Sequence, residues 1–370
     1  MSISQRAAEL HRQAIVIEGH SDILLPVLGG VTTLTEPFTE AAMERWQVMA
    51  ANHATPEMRD VPYELDPLAM LIAPAGQYEL PLLEQGGVTA QCVAIFLPAA
   101  HLAHALESAL EMVAALHRAV AANADRCLLA TSAADIRRAK AEGKVAYVLT
   151  MEGAEPIGRR IDLFDIFHRL GLRMTTLTHS RRNLLADGAQ QDIATGGLTA
   201  LGKQAGDRCQ ELGIVLDVAH LSDRGFWDVI ERASRPVVCS HTSVLTPSPG
   251  YRAPWDEVNP AYGMSKAEAI ARSGGLIGIV FWSMPDVAAL VREADAIIAL
   301  TGPDHVALGA DFYGFRDAPR DLQHIGQLPA LTEALVQHGY DDDTILKLLG
   351  GNWLRVFGGR DAGRGARDVG

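Results

Sequence analysis

His20 and Asp22 close the run AIVIEGHSDILL, where an apolar stretch from Ala14 to Ile17 gives way to a Gly-flanked His-x-Asp. Residues two apart on a strand point to the same side, so the spacing predicts an imidazole and a carboxylate converging where a buried strand meets solvent. That pairing suits a metal ion. Similar ends recur along the chain: VAYVLTMEG leads to Glu152, MTTLTHS to His179, GIVLDVAHLSD to His220, PVVCSHTS to His241 and VALGADFYG to Asp311.

Taken singly, each of these residues has an ordinary explanation. A lone strand-end histidine is commonly a hydrogen-bonded structural group, Glu152 could be an acid near the start of a helix, and Asp311 a loop carboxylate. The joint pattern reads differently. Gathering four imidazoles and three carboxylates at one mouth is costly unless their charge is compensated, and divalent cations supply that compensation. Mixed His and carboxylate donors suit zinc, with manganese or cobalt as substitutes. Five candidate ligands are too many for one tetrahedral ion that also keeps a water, and they suit two ions sharing a carboxylate, with Glu152 the natural bridge. Two ions ~3.5–4 Å apart can hold a hydroxide between them and polarise a carbonyl, the chemistry of water attacking an amide.

The elements that must position these groups are legible as apolar, β-rich runs at residues 14–22, 88–97, 145–152, 174–179, 214–220, 236–241, 276–282 and 306–312. Helix-like stretches separate them, among them residues 102–125 and 198–213, the latter ending in a Gly suited to a helix C′ position. Near-continuous apolar strands alternating with amphipathic helices predict a parallel sheet covered on both faces, and eight such units predict a closed (β/α)8 TIM barrel of the metal-dependent hydrolase type. Active sites of such barrels lie at the C-terminal ends of the strands, where the His and acidic residues fall. A doubly wound sheet is the rival, but the first strand runs into GHSD rather than a Gly-rich phosphate turn, and no Walker A sequence occurs.

The expected organisation is a single catalytic domain over residues 1–358, with a long insertion after the first strand at 23–80 and a Gly- and Arg-rich flexible tail at 359–370. The insertion carries six prolines and a helical piece, TEAAMERWQVMAAN, and a loop of that length is read as a lid, a subunit contact or a surface decoration. The remaining nine of 13 histidines (His11, His53, His101, His104, His117, His168, His305, His324 and His338) fall in helix-like or loop stretches and read as surface residues.

In a 370-residue chain that is 48% hydrophobic, a large core can form. A net charge of −13 argues against a nucleic-acid or anionic-membrane partner while leaving a small anionic substrate open. The start MSISQRAAELHRQ has no apolar signal region, and no uninterrupted apolar run approaches a membrane span, which points to a cytoplasmic protein. The four cysteines, Cys92, Cys127, Cys209 and Cys239, form no C-x-x-C and read as buried free thiols; Cys239, two residues before His241, reads as a small core residue.

These motifs resemble the membrane (renal) dipeptidase family of binuclear zinc peptidases. The matching pieces are EGHSD at 18–22, LLEQGGVTAQ at 82–91, TMEG at 150–153, LGLRMTTLTHS at 170–180, LGIVLDVAHLSD at 212–223, VVCSHTS at 237–243, GGLIGI at 274–279, DHVALGADFYG at 304–314 and LGGNWLRVF at 349–357. The resemblance implies a metallo-dipeptidase in which His20 and Asp22 hold one zinc, His220 and His241 the other, and Glu152 bridges the two. It also implies that His179 stabilises the oxyanion of the tetrahedral intermediate, that Arg252 grips the substrate's C-terminal carboxylate, and that Asp311 passes a proton from the attacking water to the leaving amine. A fork of Arg donors matches a carboxylate bidentately, which fits a peptidase limited to two residues. Tolerance of D-residues at the C-terminal position, some activity on amides such as β-lactams, and a homodimer follow from the resemblance alone.

The chain departs from the family pattern in places. Glu18 and Ser21 stand where the family often has Asp and Asn, leaving the ligands intact. Arg181, Arg182 and Asn183 replace Cys-Asn-Thr after THS, and Tyr313 stands in DFYG where DFDG is common. These changes bear on side-chain selection, so Tyr313 is counted with Arg252, His179 and Asp311 among the substrate contacts. The two added arginines suggest a taste for an acidic dipeptide side chain, unless they pair with Asp187 or Asp192. The rival readings are a related amidohydrolase acting on N-acyl amino acids, lactams or other small amides, and a metal- or peptide-binding barrel without catalysis.

Overall fold

Eight short, fully buried strands can close on themselves only if each is apolar toward both the barrel interior and the helical layer, and this chain's strands are. The computed structural model describes residues 3–44, 76–189, 196–246, 254–315 and 318–359. In chain order the strands are β1 (Val16–Glu18), β2 (Val88–Phe96), β3 (Cys127–Leu129), β4 (Val145–Glu152), β5 (Leu172–Thr176), β6 (Val215–Asp217), β7 (Val237–Thr242), β8 (Ile277–Ile279) and β9 (Val306–Leu308). All pair in parallel in the order β2-β1-β9-β8-β7-β6-β5-β4, and β2 pairs again with β4 from Ala90↔Ala146 to Phe96↔Glu152. That last pairing closes an eight-stranded barrel, as the sequence predicts.

The ninth strand, β3, was not expected. It pairs with Val145–Tyr147 at the start of β4, while β5 pairs with Leu149–Met151 farther along. Since β2 occupies the opposite edge of β4 throughout, β3 and β5 share one edge at different heights. At three residues, β3 is too short to leave a periodic signal.

The ladders also end earlier than the sequence predicts. β1 stops at Glu18 and β9 at Leu308, so His20, Asp22 and Asp311 sit on the turns beyond the strands, as do His179 and His220. The pleat therefore does not bring His20 and Asp22 together; the turn after β1 does. Only Glu152 and His241 lie on regular strand.

Helices follow the expected rhythm. Helix Ala200–Leu212 begins at Thr199, whose Oγ1 accepts from the Gly202 amide at 3.0 Å, and ends at Gly213 with φ 74°, the left-handed C′ geometry read from the sequence. Residues 99–104 form a 3-10 turn ahead of helix Ala105–Ala122. Inside the barrel, Ile17, Cys92, Val148, Met174 and Val238 pack with Trp353 from the last helix. That indole donates to Leu308 O at 2.8 Å, and a Cβ at Gly19 would meet its ring at 2.3 Å, so the residue before His20 must be glycine. The four cysteines are free and buried.

His11 corrects the surface reading. It is buried, with Nδ1 2.7 Å from Thr332 Oγ1 and Nε2 2.7 Å from Gly86 O, and it ties the first helix to two neighbours. His53, residues 45–75 of the insertion, and residues 360–370 of the tail lie outside the described residues. The described ends of the insertion dock on the barrel: Gln77 Oε1 accepts from the Tyr313 amide at 2.9 Å, and Tyr78 OH donates to His20 O at 3.1 Å. Among the described residues, no helix is long and apolar enough to cross a membrane.

Candidate metal centre

Glu152 is the hub of the barrel mouth. Its Oε1 lies 2.9 Å from His220 Nε2, 3.4 Å from His20 Nε2 and 3.5 Å from His241 Nε2. His20 Nε2 also stands 3.8 Å from Asp22 Oδ1 and 3.7 Å from Asp311 Oδ1. Three overlapping groups thus have donor atoms within 4.8 Å of one another: His20–Glu152–His241, Glu152–His179–His220 and His20–Asp22–Asp311. All seven strand-end residues picked from the sequence come together. Arg252 lies outside the described residues.

Two backbone features aim these groups inward. His220 has φ 64° and Asp311 φ 65°, left-handed conformations that a non-glycine residue holds only where surrounding contacts compensate. Beneath them run buried acids that the sequence reading passed over. Asp217 Oδ1 accepts from the Ala219 amide at 3.0 Å and the Ser240 amide at 2.9 Å, clamping the turn before His220 to the strand before His241. Glu18 accepts from the His20 amide at 3.3 Å and the Ala310 amide at 2.5 Å, clamping the His20 turn to the Asp311 turn. The signal was present, since an acid inside the apolar runs IVIEGH and IVLDVAH has no reason to be there unless it is hydrogen-bonded.

The outer nitrogens of two imidazoles are fixed as well. His220 Nδ1 meets Ser180 Oγ at 3.1 Å and His241 Nδ1 meets Ser240 Oγ at 2.8 Å. With each serine accepting from Nδ1–H, the Nε2 lone pair would be free to ligate a metal beside Glu152.

The electrostatics fit bound cations. Burial and the Glu152 charge, opposed by His20, push the Asp22 carboxyl up to about 8. Burial likewise raises Asp311 well above the usual carboxylate range, with Asp22 and Glu152 adding to it against His20. Burial and neighbouring imidazoles hold His179 and His241 well below the usual histidine value, so both rings are neutral. Buried with no hydrogen-bond partner among the described residues are His20 Nε2, Asp22 Oδ1, Glu152 Oε2 and His179 Nδ1. Orphaned carboxylate oxygens beside the neutral His179 and His241 are what divalent ions satisfy, while against burial the Glu152, Asp22 and Asp311 charges hold His20 well above the usual histidine value. The side chains of His20 and Glu152 are 2% and 3% exposed, against 23% for His220 and 17% for Asp311, so the site opens between those two.

A sequence model of the membrane dipeptidase family, peptidase family M19, matches residues 4–363. The chain belongs to that family. It therefore stands among the metallo-dipeptidases, hydrolases of peptide bonds. The dipeptidase tcpJ of Claviceps purpurea is 28% identical over 271 residues, covering 71% of this chain but only 62% of that protein. An uncharacterised protein from the pqqA 5′ region of Klebsiella pneumoniae is 32% identical over 264 residues, covering 67% of this chain and 94% of its own. Among solved structures, the metallo peptidase of Rhodobacter sphaeroides liganded with a phosphinate mimic of the dipeptide L-Ala-D-Ala has a TM-score of 0.73 at 26% identity, covering 93% of this chain and 99% of that one.

In this family member Tyr313 is not an open substrate contact. It is 2% exposed, and its hydroxyl donates to Glu79 at 2.5 Å while accepting from the Gln77 amide at 3.3 Å. The side chain anchors the returning insertion and supplies the donor that the buried Glu79 needs. Arg182 is paired with Asp187, with Nη2 to Oδ2 at 2.9 Å, so one of the two added arginines is already neutralised.

Proposed function

We propose that this protein is a dipeptidase working with two zinc ions, His20 and Asp22 serving one, His220 and His241 the other, and Glu152 both. The observation that carries the reading is Glu152 Oε1 within 3.5 Å of three imidazole nitrogens while Oε2 is left without a partner. Bound there, the ions supply Lewis acidity and an activated water at neutral pH.

The chain's own residues account for the rest. Asp311, raised by burial and beside His20, takes a proton from the attacking water and gives it to the departing amine, which needs a carboxyl able to hold a proton near neutral pH. His179 is neutral and packs against Phe96 with ring centroids 4.7 Å apart, and it offers a hydrogen bond to the oxygen that becomes negative. Arg252 binds the substrate's C-terminal carboxylate, a role resting on its place in the sequence. The L-Ala-D-Ala mimic held by the Rhodobacter sphaeroides relative supports substrates with a D-residue at the C-terminal position.

The test is metal analysis of the purified protein alongside a library of L,L and L,D dipeptides, with chelated enzyme as control. Two zinc per chain and chelator-sensitive dipeptide turnover are expected. Metal bound without turnover of any dipeptide would overturn the reading, and turnover of N-acyl amino acids alone would redirect it to another amide hydrolase.

A further inference from the structure

Beside the metal centre lies a cavity of about 420 Å³, lined by Leu102, Ala154, Glu155, Arg181, Asn183 and Leu185 among others. Its walls continue the catalytic turns: Ala154 comes two residues after Glu152, and Arg181 two after His179. It therefore occupies the β2–β4–β5 sector of the mouth. Arg181 is held there by one guanidinium nitrogen, Nη2, which donates to Leu97 O at the end of β2 at 3.3 Å. The other, Nη1, is buried with no hydrogen-bond partner among the described residues. Glu155, which also lines the cavity, has Oε1 buried without one among the described residues.

We propose that this cavity is a side-chain subsite for an acidic residue of the substrate, with the Arg181 guanidinium binding its carboxylate. The inference rests on the dipeptidase reading and names the substrate class it favours. Both arginines after the THS motif line the cavity, but Arg182 is paired with Asp187, which leaves Arg181 as the one with no ion pair among the described residues. A buried guanidinium nitrogen lacking an acceptor costs free energy that a substrate carboxylate recovers, with a charge-assisted hydrogen bond in addition. Burial raises the Glu155 carboxyl, with Arg181 and Asn183 acting against the rise. In a chain of net charge −13, an arginine at the active-site rim with no ion pair among the described residues is a specific feature and not part of a general basic surface.

The experiment compares kcat/KM of the zinc-loaded full-length enzyme on Glu-Ala against Gln-Ala and on Ala-Glu against Ala-Gln, with Ala-Ala as reference. Each pair differs only in charge, and the two pairs tell which residue of the dipeptide enters the cavity. In one pair the acidic substrate is expected to be favoured on the order of 10- to 100-fold, and the ratio to fall close to one in Arg181→Met but persist in Arg182→Met. Because the ratio is internal to each enzyme, a partly misfolded variant does not distort it. Equal turnover of Glu and Gln substrates, preference for Gln, or discrimination that survives Arg181→Met would overturn the subsite. Failure to hydrolyse even Ala-Ala would overturn the dipeptidase reading itself, and the subsite with it.

Discussion

The Nε2 atoms of His220 and His241 stand 2.8 Å apart, each on a ring whose Nδ1 is engaged by a serine hydroxyl. So close an approach fits either one Nε2–H donating to the other ring or two Nε2 lone pairs aimed at a shared cation, and the second is what the proposed ions require. Ser180 and Ser240 set the ring orientation and the tautomer that make this possible. Ser240→Ala should weaken metal binding by about 10- to 100-fold, measured by competition with a chromogenic chelator, with little change in the folded structure. Unchanged affinity would mean that the serine does not orient His241.

Asp311 sits between the buried ligands and the open side of the mouth. Asp311→Asn keeps shape and hydrogen bonding but cannot shuttle a proton. We expect kcat to fall by about 10²–10⁴ with metal content retained. Loss of zinc from the variant, seen by elemental analysis, would instead make Asp311 a ligand.

Asp217 clamps two ligand-bearing segments through the Ala219 and Ser240 amides. Asp217→Ala strands both donors in the interior at a cost of about 1–3 kcal/mol each, so the melting temperature of the metal-free protein should drop clearly. Because the segments carry His220 and His241, zinc affinity should fall in parallel. A stability loss with no change in affinity would confine Asp217 to the scaffold.

His11 gives a pH prediction away from the metal site. Burial, with Lys140 adding to it and the Gly86 carbonyl opposing, holds His11 below its ordinary value of 6.5. The unfolded chain therefore takes up this proton more readily than the folded one. The stability His11 contributes is complete above pH 6.5 and is lost as the pH falls through the lower folded value. Melting temperature should decline as the pH falls from 6.5 to the lower folded value, and His11→Gln should flatten the decline while lowering stability at neutral pH. A variant with the same acid slope as the parent would place the effect elsewhere.

Residue identity and order determined much of this protein. The apolar runs fixed seven ionisable groups at the ends of strands, because a strand buried on both faces can change character only where it leaves the barrel. That is why His20, Asp22, Glu152, His179, His220, His241 and Asp311 could be picked without coordinates. The family motifs around them were legible for the same reason.

Only the tertiary structure decided how those groups meet. His20 and Asp22 converge through a turn beyond β1, and His220 and Asp311 through left-handed backbone, which strand periodicity does not encode. The Glu18 and Asp217 clamps, the burial of His11 and Tyr313, and the division of labour between Arg181 and Arg182 depend on partners up to 321 positions away in the chain. Local spacing reports which face a side chain leaves from. Whether a buried polar atom finds a partner is settled by what the rest of the fold brings to it.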